Sequence, residues 1–190
     1  AALGVAWQDQ IKTGRWTPAI DMGSDLSDLR AVLAGAQVDL GLQQWREQSN
    51  EYTAWSVLAS VQAACRVAGI PLAGARVLLE GYGRVGSSLA PLLVERGARL
   101  VGVSTRAGAF VLPSGIDLGR LERMRATQGD RCVESLSGAT AVPLRELLLQ
   151  DAEIAIPCAR ANAIDTEGAE RLVSRVVVCA ANAPLTRDVE

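Results

Sequence analysis

ARVLLEGYGRVGSSLAPLLVERGARLVGVST, residues 75–105, is the stretch around which the chain is organised, and it reads as strand, glycine turn, helix and strand. Residues 76–80 are a short, mainly apolar run of the kind a fully buried parallel strand shows, and GYGRVG follows at once with Gly81, Gly83 and Gly86. Each glycine has its own task. Gly81 lets the chain turn sharply off the strand, Gly83 has no side chain to hold a phosphate away from the backbone, and Gly86 lets the next helix pack closely on the sheet. The free N–H groups and positive dipole end of that helix, near Val85 to Ser88, then favour an anion. Leu89, Leu92 and Leu93 fall on one helical face, Gly97 stands where a C-cap glycine belongs, and residues 100–103 form a second apolar strand. The pattern predicts a βαβ unit that binds a dinucleotide, against the plainer alternative of a doubly wound sheet binding something else.

The end of the second strand bears on which dinucleotide. An acidic residue there accepts hydrogen bonds from both ribose hydroxyls of NAD, whereas this chain reads Ser104, Thr105, Arg106. With no carboxylate at those positions to repel a 2′-phosphate, and with Arg106 able to pair with one, the reading is NAD(P) with a tilt toward NADP. A solvated arginine at a strand end is the alternative.

Composition narrows the chemistry. The chain has 190 residues, 49% hydrophobic, with a formal net charge of −2, which fits a globular protein of mainly one domain and offers no electrostatic footprint for nucleic acid. No apolar run approaches a membrane span and no signal peptide is visible, so the expected location is the cytoplasm. Cys65, Cys132, Cys158 and Cys179 are scattered without a CxxC, as suits reduced thiols rather than a disulfide framework or a metal site. Histidine is absent, which removes the usual general base and the usual metal ligand, and Lys12 is the sole lysine.

Elsewhere, residues 1–11 suggest a helix ended by Lys12 to Gly14, residues 15–20 an extended segment, and residues 25–33 a helix capped by Ser24 and stopped at Gly35. Residues 36–50 read as a connecting loop and a border. A helix is expected over 53–68 and a loop or hairpin over 107–115, followed by a helix over 117–126. Val133 and Val142 are candidate strand ends, and Leu147 and Leu148 face inward from a helix that starts at Pro143. Strands over 152–157 and 175–180 flank a helix over 166–173. Such alternation predicts an α/β, Rossmann-like, doubly wound and mostly parallel sheet, with ligands at the carboxyl ends of its strands.

Several segments, in order, resemble the glutamate/leucine/phenylalanine/valine dehydrogenase family. TGRWTPAIDMGSD (13–25) resembles the segment holding the family's catalytic aspartate, and EYTAWSV (51–57) its TAxGV segment. IPLAGARVLLEGYGRVG (70–86) and VGVSTRAG (101–108) resemble the family's glycine loop and adenosine-ribose site. AEIAIPCARANAI (152–164) and VVVCAANAPLT (176–186) resemble its two later strand ends. The resemblance implies Asp21 as the catalytic carboxylate, although in isolation Asp21 reads rather as a carboxylate that interacts with the following helix start. It also implies cofactor contacts from Thr53, which meets the nicotinamide amide, and from Gly81, Gly83, Arg84, Val85, Gly86, Thr105, Arg106, Cys158, Ala159, Asn162 and Asn182. In the family an amino acid gives its α-hydride to the nicotinamide and the imine is hydrolysed to a 2-oxo acid and ammonia, with a lysine amine activating the water.

The family's lysines lie on a substrate domain whose counterpart would precede Ala1, and its closing helices would follow Glu190. Residues 1–48 are therefore expected to be part of a substrate domain and residues 49–190 the dinucleotide-binding domain. Ser56 and Ala183 stand where the family has glycines, and Cys179 and Ala180 depart from it as well. Three functions follow. The first is an amino-acid dehydrogenase acting on an amino acid or 2-oxo acid, as a homo-oligomer or completed by the missing domain. The second is a non-catalytic dinucleotide-binding homologue, and the third an imine or ketone reductase of changed chemistry; fold alone does not separate them.

Overall fold

A computed structural model describes residues 1–20, 23–39 and 49–189. The chain divides into two compact units, Ala1–Glu47 and Gln48–Glu190.

In the first unit, helices α1 (Ala2–Ala6), α2 (Gln8–Lys12) and α3 (Leu26–Ala36) pack around Ile11, Leu29, Leu33 and Ala36. The single N-terminal helix expected from sequence is two short ones, broken at Trp7, whose ring sits 5.3 Å from that of Trp16. No strand forms over 15–20: after a bend at Arg15 and Trp16 the chain runs irregularly. Asp25, not Ser24, caps α3, because Asp25 and Asp28 form a reciprocal capping box that satisfies two backbone donors at once. The helix also runs past Gly35 to end at Gln37 in the left-handed conformation. Gly35 is used instead for close approach, since a β-carbon there would lie 2.1 Å from the Ala1 carbonyl oxygen.

The second unit is built on a six-stranded sheet: β1 (Arg76–Glu80), β2 (Arg99–Thr105), β3 (Gly108–Val111), β4 (Thr140–Val142), β5 (Ile154–Pro157) and β6 (Val176–Val177), in the order β4-β3-β2-β1-β5-β6. Neighbours among β2, β1, β5 and β6 are parallel, whereas β3 and β4 add antiparallel edges. The chain goes from β1 to β2 on one side and reaches β5 on the other, so the topological switch point lies between β1 and β5. Both faces are covered. On one, Val77, Leu79, Val103, Ile154 and Ile156 pack with α4 (Ser49–Ala68), α5 (Arg84–Glu95) and α6 (Leu118–Gln128). On the other, Leu78, Val101 and Ala155 meet Leu147, Leu148 and Ile164.

Four local expectations need correction. Val133 lies in a 3-10 helix, Gly129–Ser135, because the chain is still turning beneath β2 there. The segment after Pro143 is a 3-10 helix, Leu144–Leu149, although Leu147 and Leu148 are buried as the pattern required. The last strand has only two residues, since the Val178, Ala180 and Ala181 amides turn to the Ala155 and Pro157 carbonyls outside a regular ladder. α7 (Thr166–Arg171), capped by Asp165, ends two residues short of the expected 173.

A register shift between Val77 and Leu78 brings Gly102 opposite Leu78. A β-carbon on Gly102 would lie 2.6 Å from Leu78 Cδ2 and 3.0 Å from Leu147 Cδ1, both in the core. Gly102→Ala is therefore expected to destabilise the unit by about 1–3 kcal/mol through overpacking. Urea unfolding would measure this, and Leu78→Val, which removes the obstructing atom, should make the double variant less damaged than the sum of the singles.

Arg76 at the start of β1 donates to Glu153 from Nη2 at 2.6 Å and to Asp151 from Nη1 at 2.7 Å, and its backbone N–H donates to Glu153 Oε2 at 2.7 Å. Hydrogen bonding to the Arg76 side chain holds the Glu153 carboxyl down from 4.5 to about 2. Because the folded value is the lower one, the stabilisation is present above the ordinary glutamate value and is lost as pH falls toward the folded value. Melting temperatures followed from pH 5 downward should show a slope that Glu153→Gln reduces.

Candidate functional site

The carboxyl edge of the sheet is built outward from the glycine turn. Gly81 has φ +105°, and its amide donates to Ser104 Oγ at 3.0 Å while the Tyr82 amide donates to the Ser104 carbonyl at 2.6 Å. Ser104, expected from sequence only at the ribose end of the strand, thus moors the turn to the end of β2. Gly86 approaches so closely that a β-carbon on it would lie 1.9 Å from the Gly81 carbonyl oxygen. Gly83 differs in kind: it is exposed, its backbone is in the extended region, and a β-carbon on it would meet nothing within 4 Å.

α5 begins at Gly83, an N-cap that makes no side-chain cap bond. The Ser87 amide already donates to the Gly83 carbonyl at 3.0 Å, so the outward N–H groups are those of Arg84, Val85 and Gly86, one residue earlier than the spacing suggested. An anion set at Gly83 would meet these donors and the positive end of a helix twelve residues long. The cradle fits the pyrophosphate of a dinucleotide.

Arg125 completes the loop from α6. Its Nη1 donates to the carbonyls of Tyr82 and Gly83, the latter at 3.1 Å, and its guanidinium lies 5.1 Å from the Tyr82 ring centroid. A cation is thus held against the two turn carbonyls that would otherwise repel a phosphate. Nothing in local sequence reveals it, because it is brought there by the return of α6.

On the other side of the switch point, the Cys158 amide donates to the Glu80 carbonyl at 2.8 Å, and Ala159 packs against Gly81, where an added β-carbon would lie 2.7 Å from the Ala159 β-carbon. The Cys158 thiol is pushed up to about 12, first by burial and then by the neighbouring Glu80 charge, and so stays neutral. Glu80 is only 1% exposed, and Arg160 Nε donates to its Oε1 at 2.6 Å. Burial raises the Glu80 carboxyl while Arg160 opposes the shift. Asn162 adopts φ +52° and gives its amide to the Ala183 carbonyl at 2.9 Å, with Asn182 exposed beside it. Ala183 itself has φ +46°, the left-handed conformation natural to a glycine at this position.

The remaining expected residues divide. Thr53 is exposed on α4 and its hydroxyl donates to the Ser49 carbonyl at 2.9 Å, which leaves its oxygen lone pairs for an amide donor. Thr105 turns inward instead of toward a ribose: its hydroxyl donates to the Asp130 carbonyl at 2.5 Å and accepts from the Ala107 amide at 3.2 Å. Arg106 is exposed, and its Nε lies 3.4 Å from Asp130 Oδ2. A carboxylate therefore does stand at the end of β2, delivered by the 3-10 helix rather than by the strand. Asp21 lies outside the described residues. Among the described residues, no helix is long and apolar enough to cross a membrane.

Comparison with known proteins bears on this arrangement. Residues 46–190 match the model of the family described as glutamate/leucine/phenylalanine/valine dehydrogenase. A catabolic NAD-specific glutamate dehydrogenase of Bacillus subtilis is 33% identical over 161 residues, covering 85% of this chain and 37% of the relative. An NAD-specific glutamate dehydrogenase of Staphylococcus aureus is 33% identical over 81% of this chain and 36% of its own length. The chain thus spans little more than a third of these relatives. Among solved structures, a hetero-hexameric glutamate dehydrogenase from Thermus thermophilus superposes with a TM-score of 0.78 at 23% identity, over 98% of this chain and 47% of that one. Glutamate dehydrogenase from Plasmodium falciparum superposes with a TM-score of 0.77 at 18% identity, over 98% and 45%. The chain belongs to the glutamate/leucine/phenylalanine/valine dehydrogenase family.

Proposed function

We propose that this chain is the dinucleotide-binding part of an NAD(P)-dependent amino-acid dehydrogenase that converts an L-amino acid to a 2-oxo acid, or the reverse. The observation that carries the reading is the start of α5 at Gly83, an N-cap without a side-chain cap and with open space where a β-carbon would stand, beside the switch point. Gly83, Arg84, Val85 and Gly86 hold the pyrophosphate through their backbone, and Arg125 keeps the turn in shape. Cys158 to Asn162 and Asn182 flank the nicotinamide half, and Thr53 accepts from its amide.

A dinucleotide bound there would supply a hydride acceptor for the substrate α-carbon. Asp21 exchanges protons with the amino nitrogen, in a unit, residues 1–48, that forms part of the substrate domain. Lys12, the sole lysine, is too near Asp21 in sequence to be the water-activating amine, so that group comes from outside this sequence, and with it the substrate side-chain pocket and the oligomer contacts. The relatives named above are NAD-specific, which supports a nicotinamide dinucleotide in general. Arg106, with Asp130 beside it, does not by itself favour a 2′-phosphate.

Binding is tested by titrating the chain with NADH and NADPH, followed by nucleotide fluorescence, beside Gly83→Val. The extended backbone and open space at Gly83 let valine fold there without strain. A native Kd in the micromolar range that rises at least tenfold in Gly83→Val, with an unchanged melting temperature, is the expected result. Absence of binding to either dinucleotide would leave a dehydrogenase-derived fold with another task.

A further inference from the structure

The end of β2 carries a charge arrangement that strand sequence alone does not reveal. Thr105 is buried, and its hydroxyl is bonded at 2.5 Å to the main-chain carbonyl of Asp130, which fixes the start of the 3-10 helix Gly129–Ser135 against the strand end. That mooring places the Asp130 carboxylate 3.4 Å from the Arg106 guanidinium, with both side chains open to solvent at 48% and 89% exposure. In a dinucleotide-binding βαβ unit the adenosine ribose lies at the end of the second strand, where an acid accepts from the 2′- and 3′-hydroxyls and a cation accommodates a 2′-phosphate. Both groups are present here, from different elements, and they neutralise one another.

We propose that Asp130 is the ribose-selecting residue of this chain, discriminating against a 2′-phosphate and so giving a preference for NAD over NADP. The proposal rests on the dinucleotide-binding reading above. A 2′-phosphate carries close to two negative charges, so to reach Arg106 it must displace the Asp130 carboxylate and then sit beside it. A 2′-hydroxyl meets no such conflict and gains an acceptor. Thr105 acts as a positioning residue, since its hydroxyl is committed to holding Asp130 in place.

Isothermal titration calorimetry of the chain with NADH, NADPH, AMP and adenosine 2′,5′-bisphosphate tests this without reliance on turnover. The native chain should bind NADH more tightly than NADPH, and Asp130→Asn should shift the ratio of the two Kd values toward NADPH by tenfold or more. The AMP pair should shift the same way, because it isolates the adenosine end. Arg106→Gln should weaken the two 2′-phosphorylated ligands and leave NADH within about threefold. The Asp130 main-chain bond to Thr105 survives in Asp130→Asn, so the fold is retained, as thermal melting would verify. Native preference for NADPH, or an Asp130→Asn variant that changes both Kd values by the same factor, overturns the assignment of Asp130 while leaving the dinucleotide site intact. Failure of all four ligands to bind removes both readings together.

Discussion

The second unit depends on the contact between Gly86 and the carbonyl of Gly81. A β-carbon at residue 86 would lie 1.9 Å from that oxygen, so only glycine lets α5 begin directly on the turn that ends β1. The turn in turn requires φ +105° at Gly81, a conformation that side chains resist. From these two constraints the rest of the edge follows. α5 starts at the sheet with its first amides facing out, and Ser104 can reach the turn to pin β2 beside β1. The loop after β5 closes down on Gly81 through Ala159 because no side chain holds it off. The same compactness that binds the elements together leaves Gly83 standing clear, and stability and the binding function are thereby divided among three glycines of one motif.

What the sequence made legible was whatever is local and periodic. Residues 76–80 read as a strand and are β1 to the residue, because five mainly apolar positions bounded by a glycine have few other uses. The helix after Gly83 and its stop at Gly97, with φ +83°, were legible for the same reason. The failures share a different cause. Ser24 and Asp25 compete for one cap, and the winner is decided by reciprocal bonding with Asp28, a cooperative effect that single-residue preference does not express. The segment after Pro143 has an apolar pair suited to any turn of helix, but packing of Leu147 and Leu148 under the sheet selects the tighter 3-10 form.

Within the candidate site the division is the same. The glycines could be read from their spacing, whereas Arg125 comes from the last turn of α6 and Asp130 from the 3-10 helix after it, and both owe their positions to tertiary folding. Ser104, Thr105 and Arg106 were read as a strand end facing a ribose, yet the first two turn their hydroxyls into the protein to hold the loops that shape the site. A motif thus specifies where a ligand's phosphates go more surely than which charges surround its sugar, since the former uses backbone and the latter uses side chains from elsewhere.

Glu80 shows how such a side chain can be both costly and useful. It ends β1 with 1% exposure, one carboxylate oxygen bonded to Arg160 at 2.6 Å and the other without a partner among the described residues. Burial outweighs Arg160 and raises its folded pKa above the ordinary value of 4.5. The folded chain therefore holds this proton more tightly than the unfolded one, and the corresponding contribution to stability diminishes as pH rises through the folded value, opposite in sign to that of Glu153. A pair of apolar residues would hold this position at least as firmly, because desolvation offsets most of the attraction in a buried ion pair. What an apolar pair lacks is direction: Arg160 follows β5, Glu80 ends β1, and their bond joins the two strand ends on either side of the switch point. Cys158, next after β5, is a neutral thiol, kept so first by burial and then by the Glu80 carboxylate. The ion pair thus fixes the spacing of the loops that flank the glycine turn, a geometric role for which its modest net stabilisation is sufficient.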